Sequence, residues 1–149
     1  MRKPDSWNSV ISSMVEVLKN RSKDPRTQCA SIAVSEDYKD IVWGYNGMIT
    51  GYPENEEIWK PENKYKLVLH SEINLIIGAK RDLKNYTLFV SIPPCSDCAK
   101  YICQAGFKKV FYINEPNNKS QLDYDFAKQL FKTMNITFEK LAAPPCASN

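Results

Sequence analysis

Two apolar runs of strand composition, "YTLFVSI" (Tyr86 to Ile92) and "KKVFYI" (Lys108 to Ile113), bracket the segment "PPCSDCAKYICQAG". That segment opens on two prolines and closes on Gly106, the punctuation of a turn leading into a helix and of the helix's end. The alternation continues, with "QLDYDFAKQLFKTM" reading as a helix and "ITFEKL" as a last strand. Strands separated by helices of this length predict an α/β fold, a layered sheet with helices on both faces.

Upstream the pattern is consistent with that frame. From Ser6 to about Asn20 the residues Trp7, Val10, Ile11, Met14, Val15 and Leu18 recur at helical spacing, and this apolar stripe is expected to lie in the core. "TQCASIAVS" and "DIVWGYNG" read as two strands joined by the polar turn "EDYKD", hence a hairpin. The stretch from Met48 to Lys66, rich in Pro, Gly, Asn and charge, reads as a long loop of the kind that is often functional. From His70 to about Lys80 the spacing predicts a helix with Ile73, Ile76 and Ile77 on its apolar face. No linker interrupts the 149 residues, so one domain over 1–149 is expected, with a poorly ordered tail from about residue 142.

Charge bears on partners. The 20 basic and 17 acidic residues give +3 with no block of like sign, which argues against nucleic acid as the main partner and leaves small anionic ligands open. No apolar run approaches the roughly 20 residues of a membrane span, and the first residues lack a signal h-region, so the expected location is cytoplasmic, with no membrane partner. Five cysteines in no framework spacing are then expected to be reduced thiols.

The single histidine, His70, lies in "LHSEINLIIGAK", followed two positions later by Glu72. A lone histidine is usually a surface or hydrogen-bonded core residue. Here Cys95 and Cys98, at C-x-x-C spacing, offer two sulfurs at another helix start. A redox dithiol is the rival reading, since a helix N-terminus lowers a thiol's pKa, but it leaves the histidine unexplained. Three N/S ligands suit tetrahedral zinc, one ion per chain, with a fourth position left for water. Two thiolates and a neutral imidazole cancel the ion's charge, and such a metal lowers the pKa of water from about 16 toward neutrality. Hydrolytic deamination also needs a nearby carboxylate that is not a ligand, and Glu72 is placed for that part. H-x-E alone is weak and C-x-x-C alone is ambiguous; both in this order, as "HSE" and "PCSDC", form the signature of zinc deaminases.

With these motifs the chain resembles the deoxycytidylate (dCMP) deaminases of the cytidine deaminase superfamily. The likeness runs through "SKDPRTQ", "GYNG", "HSEINLI" and "PPCSDCAKYICQAGFKKVFY", from about Trp7 to Leu141. It implies a three-layer α-β-α cytidine deaminase-like fold around a mixed sheet of about five strands. It implies conversion of dCMP to dUMP, with His70, Cys95 and Cys98 on zinc and Glu72 moving protons. It also implies Asn46 at the sugar hydroxyl, Arg26 at the phosphate and the backbone of Ser71 at the pyrimidine edge. Relatives form hexamers activated by dCTP and inhibited by dTTP through a site involving the region after "GYNG", so the resemblance implies a homo-oligomer, a hexamer, and makes dCTP and dTTP candidate effectors whose control depends on the altered loop 48–66.

Other readings stand beside these. Asn46 before a glycine reads equally as a turn residue in left-handed geometry, and Arg26 as a solvated charge. Cys29 and Cys103 read as small core residues, and Tyr101 and Phe107 as packing. Within the class, a broader dCMP/dCTP deaminase is the alternative, with Mg²⁺ accompanying a triphosphate substrate; outside it, a non-catalytic zinc-stabilised assembly module. The chain departs from the family where Cys29-Ala30-Ser31 replaces Val-Gly-Ala and Ser71 replaces Ala, exchanges of small for small with little expected consequence. It departs more at "MITGYPENEE", which follows "GYNG", and at "INEPNN", where an aromatic residue is usual.

Overall fold

The computed structural model describes residues 1–116 and 121–142; Cys146 and the tail beyond Ala142 lie outside them. Five strands form one sheet in the order β2-β1-β5-β6-β7. They are β1 (Ala30–Val34), β2 (Ile41–Tyr45), β5 (Thr87–Val90), β6 (Lys109–Tyr112) and β7 (Thr137–Lys140), with the two-stranded ribbon β3 (Gly47–Met48) and β4 (Val68–Leu69) intervening in chain order. The hairpin β1–β2 is antiparallel, β1 also runs antiparallel to β5, and β5, β6 and β7 are mutually parallel. The sheet is therefore mixed, as expected. The parallel pairs require crossovers, which helices α4 (Ser96–Gln104) and α5 (Gln121–Thr133) supply.

Alternation along the strands sorts the core into two clusters. On one face Val42, Leu88, Val90 and Val110 pack with Leu75 and Ala79 of α3 (Ser71–Ala79), Ala99 and Ile102 of α4, and Ala127 and Phe131 of α5. On the other, Ile32, Val34, Phe89 and Phe111 pack under Ile11 and Val15 of α1 (Trp7–Leu18). Helices thus cover both faces, and each fully buried Leu, Ile or Phe contributes about 2 kcal/mol of apolar transfer.

Several local expectations change. The α1 stripe is wider than its buried strip: Ile11 and Val15 are fully buried, but Trp7, Val10 and Met14 are exposed. A helix laid on a sheet touches it along one line, and apolar residues on the flanks of that line stay outside. Trp7 instead stacks on Tyr38, with ring centroids 4.9 Å apart. The stretch Met48 to Lys66 is not simply a loop, since it contains a 3-10 turn at Glu56–Trp59 and the helix α2 (Pro61–Leu67). Pro61 sits in the first turn of α2, where its missing N–H costs nothing. The surrounding Pro, Asn and Gly conceal a seven-residue helix that hydrophobic periodicity is too short to reveal. On α3 the inward face is Glu72, Leu75 and Ala79, while Ile77 is exposed. Phe107 is buried as expected, but Tyr101 is exposed.

The close approach of α3 to the sheet has a cause in β2. A Cβ at Gly44 would lie 2.5 Å from the Ser71 carbonyl oxygen and 2.6 Å from the Leu75 amide nitrogen, so only glycine lets the helix lie this close to the strand. Both obstructing atoms are backbone. Gly44→Ala is therefore expected to cost roughly 3 kcal/mol, read as a lower midpoint in a urea unfolding curve with an unchanged slope; an unchanged midpoint would mean that α3 can slide along the sheet.

Candidate active site

The ribbon β3–β4 pairs Gly47 with Leu69 and so brings the end of "GYNG" beside the start of "HSE". His70 follows at once as the extended residue before α3, with φ −69 and ψ 156. Cys95 occupies the same position before α4, beyond the end of β5, and its sulfur accepts the Cys98 amide at 3.5 Å. Both helices thus start toward the same point, at the C-terminal end of parallel strand β5, where open α/β sheets present their clefts.

His70 Nδ1 lies 3.5 Å from Cys95 Sγ and 3.3 Å from Cys98 Sγ, and the three ligand atoms all fall within 4.8 Å of one another. Tetrahedral zinc with Zn–N of about 2.0 Å and Zn–S of about 2.3 Å puts nitrogen and sulfur about 3.6 Å apart. The donor set fits the ion in chemistry and spacing. Cys98 is buried, Cys95 half-buried and His70 exposed, so the cluster opens to solvent on the imidazole side. The Cys95 thiol is pulled down to about 4, chiefly by its hydrogen bond with Cys98 and then by His70, against the opposing effect of burial. A thiolate is the form that binds metal.

Glu72 is not one of the three clustered ligands. It is buried on the inward face of α3, and its Oε2 accepts from the Ser71 hydroxyl at 3.0 Å. Ser71 Oγ in turn lies 2.6 Å from Ser31 Oγ, with both serines buried. The two family departures at positions 31 and 71, read as inconsequential exchanges, are one hydrogen-bonded pair adjoining the carboxylate. Their coupling is invisible in sequence because β1 and α3 meet only in the fold.

Asn46 is buried, and its geometry is not the left-handed turn of the alternative reading: among the described residues the non-glycine ones with positive φ are Tyr38, Lys80, Asn85 and Asn135. Its Oδ1 accepts the Cys29 amide at 2.8 Å, and its Nδ2 donates to the Thr27 carbonyl at 2.8 Å and to Asp24 at 3.4 Å. Both amide protons are used and one acceptor place on Oδ1 remains. Arg26 is exposed on the same loop, its backbone N–H donating to Asp24 Oδ1 at 2.9 Å. No described carboxylate pairs with its guanidinium. Cys29 and Cys103 are both only partly buried.

Sequence reasoning passed over two residues. Asp24, inside the quoted "SKDPRTQ", takes the amides of Arg26 and Thr27 on Oδ1 and an ion pair from Lys64 of α2 on Oδ2. The side chains are 8% exposed for Lys64 and 1% for Asp24. An aspartate two residues before a turn is a recognisable backbone-capping signal, but a lysine in a stretch read as a loop carries none. A groove of about 450 Å³ runs along the β2 edge past Trp43, Asn74 and Arg81, and it contains none of the three clustered ligands.

The family described as "cytidine and deoxycytidylate deaminase zinc-binding region" matches residues 5–114, from before α1 to beyond β6. The chain belongs to this family. The deaminase match includes His70, Glu72, Cys95 and Cys98 and ends before α5 and β7. Similarity to individual deaminases extends further. The chain is 32% identical to the deoxycytidylate deaminase of Homo sapiens, over 95% of this chain and 82% of that one. It is 33% identical to that of Mus musculus, over 90% and 79%. Among solved structures, the dCMP deaminase of cyanophage S-TIM5 in complex with dCMP and dUMP superposes with a TM-score of 0.74 at 26% identity, covering 94% of this chain and all of that one. The layered mixed sheet is thus the cytidine deaminase-like fold.

Proposed function

We propose that this protein is a zinc-dependent enzyme that hydrolyses dCMP to dUMP and ammonia. The observation that carries the reading is a three-ligand His70, Cys95, Cys98 cluster of zinc spacing, with the buried carboxylate Glu72 one turn-start away on α3 and outside the ligand set. A purely structural site has no use for that carboxylate. Membership of the deaminase family and the likeness to dCMP deaminases over nearly the whole chain support the substrate.

His70, Cys95 and Cys98 would hold the metal, which when bound makes hydroxide available near neutral pH. Glu72 takes a proton from the attacking water and delivers it to N3 of the pyrimidine as C4 is attacked. It then takes the remaining proton from the new C4 hydroxyl and passes it to the departing amino group, so that the C4 carbonyl forms, one water is consumed and one ammonia released. The resemblance puts the backbone of Ser71, at the start of α3, at the pyrimidine edge. Asn46, held by Asp24, Thr27 and Cys29, offers its remaining Oδ1 place to a sugar hydroxyl. Arg26 meets the phosphate, which a guanidinium can grip with two parallel hydrogen bonds.

The remaining readings rest on the resemblance and the composition: one domain carrying the whole reaction, a cytoplasmic location, a hexamer, control by dCTP and dTTP, and Mg²⁺ only alongside a triphosphate. No described helix is long and apolar enough to cross a membrane.

Ammonia release and the ultraviolet change test the activity, with dCMP, dCTP, deoxycytidine and cytidine offered in parallel, with and without trace effector. Turnover of dCMP is expected, and turnover of none of the four would overturn the reading. Arg26→Ala is expected to remove about 2 kcal/mol of charge-assisted binding, roughly thirtyfold in kcat/KM for dCMP, and to leave deoxycytidine unaffected. An equal loss on both substrates would move the phosphate site elsewhere.

A further inference from the structure

The Asp24–Lys64 pair is buried yet does not belong to the hydrophobic core. Taking two charges out of water costs several kcal/mol per ion before their attraction is counted, and an apolar pair of similar volume often does as well. The pair lies where two segments of the proposed site meet. On one side is the loop 22–28, with Arg26 at its surface and Asn46 tied beneath it by Asp24, Thr27 and Cys29. On the other is α2, which runs through β4 directly into His70. A second pair, Lys23 to Glu54 at 3.0 Å, joins the same loop to the stretch that precedes α2.

We propose that Lys64 is a positioning residue for nucleotide recognition: by tying and neutralising Asp24 it sets the loop bearing Arg26, and so the preference for dCMP over deoxycytidine. The inference rests on the proposed dCMP reading. Two physical effects combine. Asp24 Oδ1 organises the loop by accepting from the Arg26 and Thr27 amides at 2.9 and 3.1 Å, so the loop's shape depends on where that carboxylate is held. Asp24 also places a negative charge beneath the site assigned to a phosphate, and only a buried counter-charge prevents it from repelling the substrate. Lys64 Nζ supplies that charge on Oδ2, while Asn46 Nδ2 approaches the same oxygen at 3.4 Å. Lys64 is turned to Asp24, so its effect on substrate passes through the aspartate.

The test compares kcat and KM for dCMP and for deoxycytidine in the zinc-loaded full chain. The variants are Lys64→Gln, Lys64→Met and the double variant Asp24→Asn with Lys64→Gln, each checked for zinc content and circular dichroism. The single variants are expected to raise KM for dCMP about tenfold with kcat within about threefold of wild type, because the unpaired Asp24 charge remains. Deoxycytidine, which has no phosphate, should change by less than about threefold. The double variant leaves no charge to bury and should fold even where the single ones do not. Its ratio of dCMP to deoxycytidine kcat/KM is expected within about threefold of wild type. Equal losses on both substrates, or no loss, would overturn the inference. So would a double variant whose ratio falls tenfold, which would mean that Lys64 itself binds phosphate. A wild-type protein inactive on dCMP would remove the proposed function and this inference with it; an active wild type with insensitive variants would remove the inference alone.

Discussion

Replacing Glu72 by alanine is expected to lower dCMP deamination by about a thousandfold or more, the upper part of the range for a positioned general acid–base group, while zinc content stays at one per chain. Both outcomes follow from where Glu72 sits. It is outside the His70, Cys95, Cys98 cluster, so its removal takes no ligand from the metal. It is buried with its Oε2 on the Ser71 hydroxyl, so truncation leaves a small cavity and takes one of that hydroxyl's two partners, Ser31 remaining, and does not unfold α3. Glu72→Gln keeps the volume and removes the proton carrier, and should be equally inactive with near wild-type stability. Zinc analysis, an unfolding curve and ammonia release on the same preparations check all three points. Loss of zinc in Glu72→Ala would make the carboxylate a ligand, and retained turnover would return the chain to the assembly-module reading.

Cys98→Ala is expected to abolish stoichiometric zinc and activity together. Cys98 is the buried member of the cluster, and its amide also supports the Cys95 sulfur. Zinc at a free concentration a hundredfold above its Kd adds about 2.7 kcal/mol of stability, so the variant should match the chelated wild type in an unfolding curve, and adding zinc should stabilise only the wild type. The metal-free chain also has a pH signature. Folded Cys95 ionises at about 4, against about 8.5 for an unfolded thiol, so folding favours the thiolate. That contribution is complete above the unfolded value and is lost as pH falls through about 4. The stability gap between metal-free wild type and metal-free Cys95→Ser should therefore narrow on acidification. A gap that widens would mean that Cys95 is held as the thiol.

The His70, Cys95, Cys98 cluster was legible in the sequence because each half of it is local. C-x-x-C spans the first turn of α4, and His70 and Glu72 span the first turn of α3, so spacing alone puts each pair together. The strand and helix types were legible where an apolar run is long or punctuated, as in β5, α4 and β6. Helix α2 was not, because seven residues opening on Pro61 show too little periodicity. Nor was the inward face of α3: Ile73, Ile76 and Ile77 look like a core stripe, but Glu72, Leu75 and Ala79 face inward, where the helix backbone lies against Gly44.

By itself, then, the sequence determined the α/β layering and the deaminase chemistry, since both are written in short windows where neighbours in the chain are neighbours in space. Only the tertiary structure decided how these windows face one another. It joined Ser31 to Ser71 beside Glu72, engaged Asn46 beneath the Arg26 loop, and buried Lys64 on Asp24. Each of these contacts crosses between elements far apart in the chain, and burial makes them strong by removing the water that would otherwise satisfy the same groups.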